Sequence, residues 1–339
     1  MNPNATNPCA TCGAKSTIVC TQCSVTCYCT PYCRDKDILK HRSHCADLLQ
    51  KLIDRIGRTL REIFYTFSER AFTYSVGSVA KGVDAIMVSQ APSRVGQVLF
   101  QFPASLFQGW NMLDRHAILC MRRSEDAIGY LKHFIAHMLE GNVCTQCHQP
   151  YLTPYLGVPL SRVEEMSATM RSEPRASLLS CADWRGNRCL LDPGKHHFLR
   201  LSASAHGKRW TLDPAGAMYG NNADSLTASN YDQGHARQDT LRASGFGGCE
   251  QRLRSHADVH DQSGLRCKVL FIARDCLHDG IEKWMQHSRR TMWEVLRGSD
   301  HEYQMQLLSL RTFVHQSMSK IASTQAYQGV MENAIGSQT

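Results

Sequence analysis

The sequence predicts an α+β protein, with a small cysteine-rich N-terminal module followed by a larger body carrying a β-hairpin and C-terminal helices. Three observations predict it. Eight of the chain's 16 cysteines fall within residues 9–45. Apolar residues recur at helical spacing in several long stretches. Between those stretches lie β-branched and aromatic runs bounded by turn residues. At 339 residues the chain suits two domains of about 150 residues, or one large domain plus a module. The hydrophobic content of 42% is enough for a sizeable core.

Taken in order, residues 1–8 (MNPNATNP) have no basic patch followed by an apolar stretch, so they do not form a secretory signal. They are expected to be a disordered tail. No run of about 18 apolar residues occurs anywhere after them, so no segment is expected to span a membrane. The expectation is an intracellular protein of the nucleus or cytoplasm, where disulfides are rare and dense cysteines bind metal. The formal charge of +8 is mild and spread along the chain, which does not point to nucleic acid.

The cysteines of residues 9–45 read as pairs. Cys9 and Cys12 are spaced C-x2-C, and Cys20 and Cys23 repeat that spacing. Cys29 and Cys33 are C-x3-C, and His41 and Cys45 are H-x3-C. A C-x2-C turn aims two sulfurs at one point, and an i, i+4 pair does so from one face of a helix. Zinc wants four such ligands in a tetrahedron. The segment from Tyr32 to Gln50 has few breakers and reads as a helix. Its two ligand pairs would then lie about two to three turns apart. One ion cannot reach both, so two zinc ions are expected.

This order of eight ligands resembles the MYND-type zinc finger, including that of uncharacterised fungal proteins that carry it. The resemblance covers residues 9–45 and implies a cross-brace. Cys9, Cys12, Cys29 and Cys33 would hold one zinc, and Cys20, Cys23, His41 and Cys45 the other. Tyr28 stands where the family has an aromatic. Arg34 replaces the usual Gln after the sixth ligand cysteine, and Ile38 replaces the usual Trp before the His. Both positions help line the family's peptide groove. The resemblance implies that the finger, residues 9–47, recognises other proteins through short peptides, often containing proline. Cys27 is expected to be a buried free thiol. A module this small cannot bury enough core to fold alone, so metal binding supplies its folding free energy.

The body is expected to span residues 48–325. Residues 48–67 carry an apolar stripe, Leu49, Leu52, Ile53, Ile56, Leu60, Ile63, Phe64 and Phe67, that reads as a core-facing helix. Ser124 to Glu140 reads as a second helix, with Ser124 as N-cap and Gly141 at the end. The stretch CTQCH holds Cys144 and Cys147. It has the form of a haem attachment site, but half of a third metal site or two free thiols fit it better. HHFLRLSA (196–203) and KRWTLD (208–213) read as a hairpin. Residues 220–264, rich in Gly, Asn, Asp, Ser and Gln, are expected to be a mobile insertion. Cys267 to Ala273 reads as a buried strand. Residues 281–296 and 303–321 read as helices, and residues 326–339 as a disordered tail.

The hairpin also resembles the His and Asp strands of papain-like and transglutaminase-like enzymes. That resemblance implies an alternative function, cysteine-dependent acyl or amide transfer, with Cys181 or Cys189, His197 and Asp213 as the catalytic set. A turn at 204–206 would place His197 opposite Asp213. A turn at His206-Gly207 would place Asp213 opposite Arg200. No Asn-His-x-Cys stretch or Gly-rich segment suggests a SET methyltransferase domain. The leading expectation is therefore a non-enzymatic protein-interaction protein.

Overall fold

The structure, a computed structural model, describes residues 8–82, 85–92, 97–140, 160–179, 194–203 and 207–336. Its organising element is one long helix. Two short paired strands, β1 (Ile18–Val19) and β2 (Cys27–Tyr28), lead into α1 (Pro31–Arg70), 40 residues without a break. Thr30 caps it by accepting the Cys33 N–H, and Pro31 occupies the first turn, where a missing N–H is harmless. Its first part carries Cys33, His41 and Cys45, and its second part carries the apolar stripe. Every stripe residue from Leu49 to Phe67 is at most 1% exposed. The expected boundary at residue 47/48 therefore falls inside a helix. No turn residue interrupts the sequence there, and Cys45 and Leu49 both belong to the main core.

After α1 come β3 (Val76–Lys81), β4 (Ile86–Gln90), α2 (Met112–Cys120), α3 (Ser124–Gly129) and α4 (Lys132–Glu140). Next are β5 (Leu160–Ala168), β6 (Ala176–Leu179), β7 (His196–Ala203) and β8 (Arg209–Leu212). The chain continues through β9 (Leu226–Thr227), α5 (Ala228–Gly234), β10 (Arg242–Gly245) and α6 (Gly248–Ala257). It closes with α7 (Gln262–Ser288), α8 (Met292–Arg297), α9 (Asp300–Met318) and α10 (Gln325–Gly336). One sheet has the order β10-β5-β7-β8-β9 and is antiparallel throughout. A second has the order β3-β4-β6, with β4 and β6 parallel.

Five expectations about the chain beyond residue 47 are corrected. Cys267 to Ala273 is not a strand but part of α7, buried between neighbouring helices; a short apolar run does not distinguish the two. Residues 220–264 are not a mobile insertion. They form β9, α5, β10 and α6, and Tyr231 and Cys249 within them are fully buried. Much of the expected C-terminal tail is α10. The helix from Ser124 to Glu140 is split into α3 and α4. Gly129 sits against α6 so closely that a Cβ there would lie 2.4 Å from Leu253 Cδ1. Ser124 is not the cap, and its hydroxyl instead accepts the His197 N–H at 3.1 Å.

The expected C-terminal helix 281–296 also ends early, at Arg289, whose φ is 53°. A capping box between Thr291 and Glu294 then starts α8.

Charged side chains tie these elements to α1. Arg55, buried on α1, donates to the Leu296 and Gly298 carbonyls, each at 2.7 Å, and to Asp300. Arg123 is 0% exposed; it donates to the Ser68 and Ala71 carbonyls and pairs with Asp126. It thereby satisfies carbonyls that the end of α1 leaves open.

Candidate metal centre

The eight candidate ligands collect into two groups. Cys9, Cys12, Cys29 and Cys33 form one, and Cys20, Cys23, His41 and Cys45 form the other. Within each group all donor atoms lie within 4.8 Å of one another. Two local devices produce this. Each C-x2-C loop closes on itself, with Gly13 N–H donating to the Cys9 carbonyl and Ser24 N–H to the Cys20 carbonyl. Both closing residues have positive φ, 76° at Gly13 and 56° at Ser24. The helix supplies Cys33 to the first group and His41 and Cys45 to the second, and Cys29, directly after β2, completes the first.

The spacing suits a tetrahedral ion. Sulfurs bound at about 2.3 Å stand about 3.8 Å apart. The observed separations are 3.5 Å for Cys12–Cys29, 3.8 Å for Cys12–Cys33 and 3.9 Å for Cys20–Cys45. His41 Nε2 lies 3.2 Å from Cys20 Sγ and 3.7 Å from Cys23 Sγ. Its other nitrogen, Nδ1, is 3.1 Å from the Thr26 hydroxyl, which fixes the ring so that Nε2 faces the sulfurs. Tyr28 OH donates to Asp37 on α1 and ties β2 to the helix.

Crowded thiols titrate together. The neighbouring Cys23 thiol holds Cys20 down at about 4, while Cys12 and Cys33 push Cys29 up to about 12. A divalent cation relieves this conflict, because it stabilises all the thiolates at once. The donor set fits such an ion in both groups. Cys27 lies outside both groups; it is buried, and Arg297 donates to its sulfur at 2.7 Å. Cys144 and Cys147 lie outside the described residues.

The hairpin does not assemble the expected catalytic set. Its register pairs Leu199 with Leu212 and Arg200 with Thr211, which is neither of the two expected registers. Asp213 instead meets His196, Nε2 to Oδ1 at 2.8 Å, and accepts from Tyr231 OH at 2.7 Å. His196 and Asp213 are 2% and 5% exposed. His197 points to the opposite face, where its Nδ1 lies 3.7 Å from Cys249 Sγ. Cys181 and Cys189 lie outside the described residues.

Sequence reasoning missed this neighbourhood of His197. Cys249 is buried at the start of α6, and Arg252 donates to its sulfur at 3.1 Å. The Glu165 carboxylate accepts the Gly247 and Cys249 N–H groups, each at 2.6 Å, and so fills the N-terminus of α6. Burial, then Glu165, pushes the Cys249 thiol up, so it is held protonated. Burial, then Arg252, brings His197 down to about 4. The Gly-Phe-Gly-Gly run before Cys249 was the available clue to a helix start.

No family model matches the chain, and neither a curated protein nor a solved structure matches it. No helix among the described residues is long and apolar enough to cross a membrane.

Proposed function

We propose that residues 9–47 are a MYND-type cross-brace finger holding two zinc ions, and that it recognises short peptides of partner proteins, including proline-containing ones. Thiolate-rich tetrahedral groups favour zinc over hard cations. The observation that carries the interaction reading is on α1. Tyr32, Ile38 and Leu39 are 74%, 51% and 83% exposed, directly beside the metal groups. Tyr32 and Leu39 are seven residues apart, about two turns, and so lie along one line of the helix. Three large apolar side chains left in water on so short a segment are what a partner would cover.

Arg34 is paired with Asp35 at 2.9 Å, both well exposed. Such a pair is worth less than about 1 kcal/mol. An acidic residue of a partner peptide can displace Asp35, so proline peptides carrying Asp or Glu are the favoured ligands. Titration of the zinc-loaded full chain with such peptides tests this. Amide resonances of residues 32–39 should shift at sub-millimolar to millimolar peptide, and Leu39→Ala should weaken binding. No shift at millimolar peptide would leave the finger as a structural clip.

Cysteine-dependent acyl transfer has the His196–Asp213 pair in its favour. Against it, both groups are sealed from solvent, and His197 is on the other face.

A further inference from the structure

A cleft of about 390 Å3 opens on the face of the five-stranded sheet that carries His197. The strand registers place Arg242 opposite Ser167, and Ser167 opposite His197, so these three side chains form one row across β10, β5 and β7. Arg252 from α6 and Lys195 complete the rim. We propose that this cleft binds the dianionic phosphate group of a phosphomonoester.

The charge balance carries the inference. Several partly buried arginines elsewhere meet carboxylates: Arg61 meets Asp224, Arg115 meets Glu69 and Arg200 meets Asp232. In the cleft, Glu125 is the single acid on the lining, and Arg252 Nε takes it at 2.6 Å. Arg242 and Lys195 have no carboxylate partner among the described residues. Arg242 uses one guanidinium nitrogen, Nη1, on the Asp239 and Leu241 carbonyls, which fixes its fork and leaves the other donors available. Two unmatched cations balance a dianion, not a monocarboxylate.

The hydroxyl of Ser167 is a further donor in the same row. The nearby helix N-terminus does not compete for the ligand, because Glu165 already occupies it. The depressed pKa of His197, to which Arg252 and Lys195 both contribute after burial, reports the same positive field. The cleft is larger than phosphate alone needs, which leaves room for the organic part of a monoester.

The test uses the zinc-loaded full chain and the His197 imidazole signal as reporter. Glycerol phosphate and inorganic phosphate are titrated at constant ionic strength, with acetate as the monoanionic control. A bound dianion should raise the His197 pKa from its low value, and acetate should not. Saturation by glycerol phosphate at lower concentration than by inorganic phosphate identifies a monoester site. Tighter binding of inorganic phosphate would overturn that assignment. Both Lys195 and Arg242 are exposed, so Lys195→Gln with Arg242→Gln should keep the fold. That variant should bind at least about tenfold more weakly, as loss of charged donors predicts. Glu125→Gln frees Arg252 and should tighten binding. Equal shifts with acetate, or full binding by the double variant, would overturn the proposal.

Discussion

Single ligands separate the two metal groups. Cys29→Ser should remove metal from the group of Cys9, Cys12 and Cys33, and His41→Ala from the group of Cys20, Cys23 and Cys45. Cys27→Ser should leave both filled. Metal analysis of each variant decides it, and loss of metal on Cys27→Ser would mean a different ligand register. A second residue-scale expectation concerns His278 on α7. Burial first, then His133, Arg274 and His137, bring its pKa from 6.5 to about 3, against the opposing Glu250. The folded state therefore binds this proton less readily than the unfolded chain. The contribution of neutral His278 is fully present above pH 6.5 and is lost as pH falls towards 3. By pH 4.5 the loss should amount to about 1–2 kcal/mol, after discounting for partial exposure. His278→Leu should flatten the pH dependence of Tm in that window relative to the parent chain. An unchanged slope would rule the residue out as its source. The two groups of candidate metal ligands were legible in the sequence because their spacing is local. His197 was not, because its neighbour Cys249 lies 52 residues away in a stretch whose composition resembles a loop.

The element that governs the molecule is α1. Proline in a helix interior costs about 3 kcal/mol or more and breaks the i→i−4 ladder. Ala46→Pro falls between Cys45 and Leu49 at an exposed position. It should leave the group of Cys9, Cys12, Cys29 and Cys33 able to bind and weaken the other, because proline pushes Cys45 out of the helical conformation, while splitting one thermal transition into two. A single unaltered transition would show that α1 does not couple the parts. Gly57 gives a second test on the same helix. A Cβ there would lie 1.8 Å from the Asp224 carbonyl oxygen. Gly57→Ala should therefore destabilise by at least the 1–3 kcal/mol typical of overpacking, about 2 kcal/mol or more. The apolar stripe from Leu49 to Phe67 announced this helix because its period holds for five turns. The run from Cys267 misled because a helix buried on several sides loses its polar face, and with it its period.

At the scale of the whole molecule the two metal groups are not equivalent. Cys12 is exposed, and among the described residues Cys9 and Cys33 cluster with Tyr28, Ile18 and Cys20, apart from the main core. Cys23 and Cys45 belong to the main core, and Arg297 of α8 donates to the Val25 carbonyl beside them at 2.8 Å. A chelator should therefore strip the first group early, with little change in body stability. Removal of the second should lower the Tm of the entire chain. Release of both in one step, with the body unaffected, would contradict this. The expected boundary at 47/48 followed from a change of pattern, ligands giving way to an apolar stripe, although helix propensity runs through it with no Gly or Pro to mark a joint.

An unbroken helix also restricts how the chain can change in length. Each added residue rotates the downstream part of the helix by about 100° and advances it by 1.5 Å. One residue inserted between Cys45 and Leu49 would swing the ligand face away from the core face. Seven would nearly restore the angle but displace the metal groups by about 10 Å, out of reach of Arg297. Phase and rise cannot both be recovered, so this interval is a fixed gauge, and insertions there should be rejected where surface loops would absorb them.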